Sequence, residues 1–265
     1  IIKYQNYLKM FAKRFGGIMG YEENKIEGRN AVLEAFRSGK PIDKLFVLDG
    51  CQDGPIRTIV REAKKHDTII NFVGKERLDQ LSETKKHQGV IAQVAAYEYS
   101  DVEDMFALAE QKGEDPFIII LDGIEDPHNL GAIIRTAEAA GVHGIIIPKR
   151  RSASLNYTVG KTSAGALEYM KVARVTNISN TIDELKEKGI WVFGADMDGG
   201  HYTKIDYDTP CAIVIGNEGK GIGTLVAKKC DGIISLPMCG KINSLNASVA
   251  AGVLMYEVVR KRNLK

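Results

Sequence analysis

Three short stretches of the 265-residue chain gather amide, carboxylate, hydroxyl and guanidinium side chains among glycines. In residues 122–135 (DGIEDPHNLGAIIR), Asn129 is placed to cap a following helix and Arg135 falls about two turns further on, so the two can face one site. A capping asparagine beside a solvated helix arginine accounts for them equally well. In residues 216–222 (GNEGKGI) and the glycine that follows, Gly216, Gly219, Gly221 and Gly223 let the backbone approach a ligand closely, and Glu218 adds a carboxylate. In residues 236–248 (LPMCGKINSLNAS), Ser244, Asn246 and Ser248 precede an apolar-periodic helix over 249–259. One of the three can cap that helix; capping cannot occupy all of them.

Amides and hydroxyls orient a ligand through hydrogen bonds, and a guanidinium stabilises an oxyanion or grips a phosphate. Several other chemistries are disfavoured. Gly160-Lys161-Thr162 lacks a Walker loop, because Leu155 stands where the leading glycine belongs, and no G-x-G-x-x-G opens a helix after the first strand of this region. Cys51, Cys211, Cys230 and Cys239 form no C-x-x-C pair and have no histidine at ligand spacing, so no metal site is expected. Free thiols fit a reducing cytoplasm.

The elements that must position these stretches are α/β. Residues 30–38 and 55–66 read as helices, and 44–48, 68–73 and 90–95 as strands, giving a small N-terminal α/β unit. Residues 100–114 are polar and acid-rich, with a short helical pattern ending at the breaker Lys112-Gly113, and read as a linker. Apolar strands follow at 118–121, 144–147, 171–175, 190–194, 211–215 and 232–236, mostly separated by helical stretches. Buried runs of this kind indicate a mainly parallel sheet covered on both faces, with ligands outside the carboxyl ends of its strands. The expected division is an extension at 1–23, an N-terminal domain at 24–99, a linker at 100–114 and the domain carrying the chemistry at 115–265.

Composition permits this without dictating it. The chain is 44% hydrophobic and 26% charged, with net charge +2, so no strong global field announces a nucleic-acid protein. Its apolar runs fall far short of the roughly 20 residues that span a bilayer. Residues 1–18 mix apolar side chains with Lys3, Lys9, Lys13 and Arg14, unlike a secretory leader; either Met19 is the natural start or the segment is an extra helix.

Asn129 with Arg135, the 216–221 turn and the 237–252 stretch (PMCGKINSLNASVAAG) resemble, in order and spacing, the three motifs of the SpoU (TrmH-like) branch of the SPOUT methyltransferases. The resemblance covers about residues 115–262. Residues 26–32 (IEGRNAV) and 87–90 (HQGV) resemble the substrate-binding domain of the RlmB-like rRNA enzymes.

The resemblance implies a trefoil-knotted C-terminal domain and ribose 2'-O-methylation of RNA with S-adenosylmethionine as cofactor. It also implies a homodimer whose active site draws on both subunits. Carried over by position, Gly216, Leu236 and Leu245 hold the cofactor by their backbone, and Gly194 and Met238 line its pocket. Core packing remains an alternative for Leu236 and Leu245. Arg135 is the catalytic group, either as a base aided by an RNA phosphate or as a cation stabilising the developing alkoxide. A guanidinium is normally always protonated, which favours the second role. Asn129, Ser244 and Asn246 orient the arginine, ribose and phosphate, and Glu218 fixes the turn or a nearby cation. The N-terminal domain points to a guanosine of 23S rRNA as substrate. A tRNA enzyme, an antibiotic-resistance rRNA methyltransferase and a non-catalytic RNA-binding assembly factor are the alternatives.

Overall fold

A computed structural model of the protein describes residues 25–263. The expectations for residues 1–23 lie outside this range. The chain divides into two compact units between Ala96 and Tyr97.

The first unit contains β1 (Lys25–Glu27), α1 (Arg29–Arg37), β2 (Ile42–Leu48), α2 (Gly54–Lys65), β3 (Ile69–Val73), α3 (Lys75–Leu81) and β4 (Val90–Val94). Its sheet runs β1-β4-β2-β3, with β2 and β3 parallel and the other pairs antiparallel. Helix α2 starts where Asp53 accepts the Ile56 amide at 3.1 Å and Pro55 fits the first turn; Lys64 and Lys65 suit its negative end. Strand β1 and helix α3 were not expected. Three residues carry no readable alternation, and α3 buries only Leu78 and has no side-chain cap.

In the second unit, the helical pattern within residues 100–114 is a helix, α4 (Val102–Lys112), that belongs to this unit and is not a linker. Met105 and Ala109 are buried beneath its polar outer face, Ser100 bridges Ala173 in parallel, and Gly113 ends it at φ +66°. The acid-rich composition that suggested a linker belongs to the solvent side of an amphipathic helix. Six strands follow: β5 (Phe117–Asp122), β6 (Gly144–Pro148), β7 (Val172–Val175), β8 (Trp191–His201), β9 (Cys211–Gly216) and β10 (Gly232–Ser235). Between and after them lie α5 (Pro127–Ala139), α6 (Tyr157–Thr162), α7 (Ile178–Glu187), α8 (Thr224–Lys229) and α9 (Ala247–Arg262).

All six strands are parallel, in the order β10-β8-β9-β5-β6-β7. Alternation along β5 and β6 sorts their isoleucines. Ile119, Leu121, Ile145 and Ile147 pack with α5 and α9, whereas Ile118, Ile120 and Ile146 pack with α4 and α7. Each such fully buried side chain contributes roughly 2 kcal/mol. From β5 the chain moves outward through β6 and β7, then returns on the other side through β8 and β9, so the switch in direction lies beside β5 and β9. Ligands of open α/β sheets sit at such a switch.

His143, fully buried, locks the opposite end of β5. Its Nδ1 accepts the Phe117 amide at 2.9 Å and its Nε2 meets Glu114 at 3.0 Å. Burial depresses its pKa, outweighing the Glu114 contact that raises it. The unfolded chain therefore takes up the proton first, and this stabilisation, complete above about pH 6.5, is lost as pH falls towards the lower folded value. Thermal melts from pH 7.5 to 5 are expected to show this fall, and His143→Gln to flatten it.

Candidate active site

A cavity of about 290 Å³ opens at the carboxyl ends of β9 and β10, beside Ala195–Met197 in the middle of β8. Ile215, Ile234, Leu236, Leu245 and Ala247 give it an apolar lining, and residues 216–221 form one wall. That wall is a tight turn in which Asn217 and Gly221 exchange backbone hydrogen bonds of 3.1 and 2.8 Å. Asn217 staples it, accepting the Gly219 amide at 2.9 Å and donating to the Gly123 carbonyl at 3.0 Å. Gly221 has φ +63°. Asp122 at the end of β5 accepts the Gly223 amide at 2.7 Å, fixing where α8 begins.

At the cavity rim the three sequence stretches meet in one hydrogen-bond network. Glu218 Oε1 accepts from Asn129 Nδ2 at 2.6 Å, Asn246 Nδ2 at 2.9 Å and the Ala247 amide at 3.4 Å. Asn246 Nδ2 also donates to Asn129 Oδ1 at 2.9 Å. Meanwhile Asn246 Oδ1 caps α9, accepting the Ser248 amide at 3.0 Å, the Val249 amide at 3.3 Å and the Ser248 hydroxyl at 2.6 Å. A carboxylate holding several donors makes the stronger, charge-assisted kind of bond. Glu218 thereby ties the β9 turn to α5 and α9.

Residues 116–256 match the model of the SpoU rRNA Methylase family, and residues 25–100 match that described as RNA 2'-O ribose methyltransferase substrate binding. The chain belongs to the SpoU family of RNA methyltransferases. It is similar to YacO of Bacillus subtilis (strain 168), which carries a TrmH family tRNA/rRNA methyltransferase name. The two are 51% identical over 246 residues, covering 92% of this chain and 98% of YacO. The AdoMet complex of the SpoU methyltransferase AviRb from Streptomyces viridochromogenes shares the fold, with 24% identity and TM-score 0.59 over 99% of each chain. The AdoMet-bound rRNA methyltransferase from Sinorhizobium meliloti is 25% identical, with TM-score 0.56, over 89% of this chain and 86% of its own. With both family models in register, this SpoU protein is a ribose 2'-O-methyltransferase acting on RNA of the tRNA/rRNA class.

Of the residues singled out in the sequence, Gly216, Glu218, Leu236, Met238, Ser244 and Leu245 line the SpoU cavity. Asn129 and Asn246 join Glu218 at its rim. Asn129 is not a cap: Asp126 caps α5, accepting the His128 amide at 2.9 Å, which leaves Asn129 buried inside the first turn and free to bridge. Gly194 does not line the cavity. Its neighbour Ala195 does, while a side chain at 194 would stand 2.8 Å from Ile222 and 3.2 Å from the Cys230 sulfur, so close packing explains the glycine. Arg135 lies exposed on α5 and outside this cavity, with no hydrogen bond or ion pair among the described residues. Six residues at 100° each set it about 120° around the helix from Asn129.

Asp122, Asn217, Asp196 and Met197 escaped the sequence reading, although Asn217 sits inside the glycine turn and Asp122 ends an apolar strand. Burial raises Cys211 and Cys230 to about 11, keeping them as thiols and removing them as nucleophiles.

Asn246 does two separable jobs. Asn246→Ala is expected to cost about 1 kcal/mol through the lost cap, a Tm drop of roughly 2–4 °C, together with most of the activity. Asn246→Ser restores the capping oxygen but not the amide donor. It is expected to regain the Tm and leave methyl transfer low, as checked by thermal melts and a methylation assay.

Proposed function

We propose that the protein methylates the 2'-hydroxyl of a guanosine ribose in 23S rRNA, with S-adenosylmethionine held in the cavity beside the glycine turn. It acts in the cytoplasm as a homodimer, and its C-terminal domain carries the trefoil knot of its family. The observation that carries this reading is the Asn129–Glu218–Asn246 network at the rim of that cavity.

The cavity suits the cofactor. Its apolar side accepts a flat base, and a methyl group at Gly216 would overlap the Gly221 carbonyl and the Ile222 amide, so the backbone there can stay close-packed and bare. Asp196 and Glu218 offer carboxylates to the cationic part. Leu236 and Leu245 line the space, with Leu236 also packing on the core. S-adenosylmethionine supplies a methyl group made electrophilic by its sulfonium.

The protein's part is to orient the ribose and handle its proton. Ser244 lines the cavity with no hydrogen bond among the described residues, and its hydroxyl is available to the sugar. Glu218 fixes Asn129 and Asn246 so that neither has to be ordered when RNA arrives. Arg135 stays charged and stabilises the oxygen as its proton departs to water. It serves the partner subunit's cavity. Support for this comes from exposed Val249, Val253 and Tyr256, which form an apolar stripe on α9, the helix packed beside α5. No metal is invoked; among the described residues no cluster of three metal-ligating side chains occurs.

The preference for rRNA follows the resemblance of the N-terminal unit to rRNA-directed enzymes. The test is incubation with labelled S-adenosylmethionine and total RNA from a strain lacking the gene, followed by mapping of the label. One methylated guanosine in 23S rRNA is expected. Label confined to tRNA, or on another rRNA nucleotide, would overturn the substrate assignment; no label at all would favour a binding or assembly role.

A further inference from the structure

Across the glycine turn from the cofactor cavity lies a larger one, of about 690 Å³, at the carboxyl ends of β5, β6, β7 and β9. The two share Asn217, Lys220 and Gly221, so the turn is the wall between them. Arg150 and Arg151, just after β6, line the second cavity together with Lys220. All three are exposed, and none has a hydrogen bond or ion pair among the described residues. Two carboxylates are also present. Asp122 is engaged by the Gly223 amide, and Glu125 is exposed and unpaired with the cations.

Three like charges bordering one concavity repel each other and contribute nothing to folding unless an anion joins them. Arg151 holds its side chain at this rim from a backbone φ of +56°, in the left-handed region that favours glycine. Asn177 and Ser179, at the start of α7, line the same wall; the Asn177 Oδ1 caps that helix, which leaves its amide nitrogen to face a ligand. Adjacent guanidinium forks match phosphate oxygens in pairs, whereas an ammonium such as that of Lys220 acts as a point charge.

We propose that this groove holds phosphodiesters of the substrate RNA flanking the target nucleotide, with Arg150 and Arg151 on one wall and Lys220 on the turn. The inference rests on the RNA methyltransferase reading above. It makes the glycine turn a shared partition, touched by RNA on one face and by the cofactor on the other.

The test is the double variant Arg150→Gln/Arg151→Gln of the full chain, with RNA binding followed across a salt series. RNA affinity is expected to fall roughly tenfold at low salt, and the slope of log affinity against log salt to shrink by roughly 1.4, about 0.7 per phosphate released. The KM for RNA rises while kcat moves less than about twofold, and calorimetric affinity for S-adenosylmethionine is unchanged. Arg150→Lys/Arg151→Lys keeps the charge and is expected to keep the salt slope while losing part of the affinity. A Gln variant with the wild-type Tm, RNA affinity and salt slope overturns this inference alone. If the double Gln variant does not fold, the single variants Arg150→Gln and Arg151→Gln decide: wild-type RNA affinity and salt slope in both overturn the inference. A wild-type protein that neither binds nor methylates RNA overturns this inference together with the proposed function.

Discussion

Arg135→Ala is expected to lower the rate of methyl transfer to RNA by about 100- to 1,000-fold, the range seen when one donor to a developing oxyanion is removed. The affinity for S-adenosylmethionine, read by calorimetry, should stay within about twofold. The separation follows from location: Arg135 is on the exposed side of α5 and does not line the cavity, so its loss leaves the cavity walls intact. It is also unpaired among the described residues, so truncation orphans no buried partner, and the Tm is expected to change little. Arg135→Lys tests how the charge is used. An ammonium retains the positive charge without the planar fork, so a small recovery points to two-point contact with oxygen or phosphate. Full activity in Arg135→Ala would remove this residue from the mechanism.

The sequence carried the second unit well because its strands are nearly pure apolar runs. Strand β5 reads FIIILD, and five of its six residues are buried; no surface helix presents such a run, so strand and burial were legible together. The first unit was less legible at β1 and α3, where short length and a single buried leucine leave no period. Helix α4 was legible as a short helical pattern, but its place in the second unit was not. Its polar face dominated the composition, and the buried pair Met105 and Ala109 only becomes meaningful once β6 lies underneath, where Met105 fills the space over Gly144.

The candidate site followed the same division. Residue types that meet in space were evident from their motifs, but roles set by packing were not. Whether Asn129 caps α5 or bridges depends on which residue starts the helix, and Asp126 with Pro127 takes that place. Gly194 carries no mark in the sequence to say whether its missing side chain makes room for a ligand or for Ile222. The staple made by Asn217 depends on a carbonyl, that of Gly123, 94 residues away, which no local pattern reveals.

Gly216→Ala is expected to weaken S-adenosylmethionine binding by about 100-fold or more, equivalent to roughly 3 kcal/mol. A methyl group at 216 would overlap backbone atoms of Gly221 and Ile222, which cannot rotate aside as a side chain can, so the turn must lift off the end of β9. Lifting it breaks the paired Asn217–Gly221 bonds and moves Glu218 away from Asn129 and Asn246. Gly200→Ala in β8 is the control, since Gly200 does not line the cavity and a methyl there meets only the Ile233 carbonyl at 3.9 Å, and near-normal binding is expected. The pair of variants also tests whether the site is shared between subunits. In a mixed dimer of Arg135→Ala and Gly216→Ala chains, the Arg135→Ala subunit keeps a sound cavity and the other subunit keeps its arginine. A composite site therefore regains roughly a quarter of wild-type turnover on equal mixing, because about half the dimers are mixed and each then holds one complete site of two. If each subunit used its own arginine, both sites of the mixed dimer would be broken, and mixing would restore nothing.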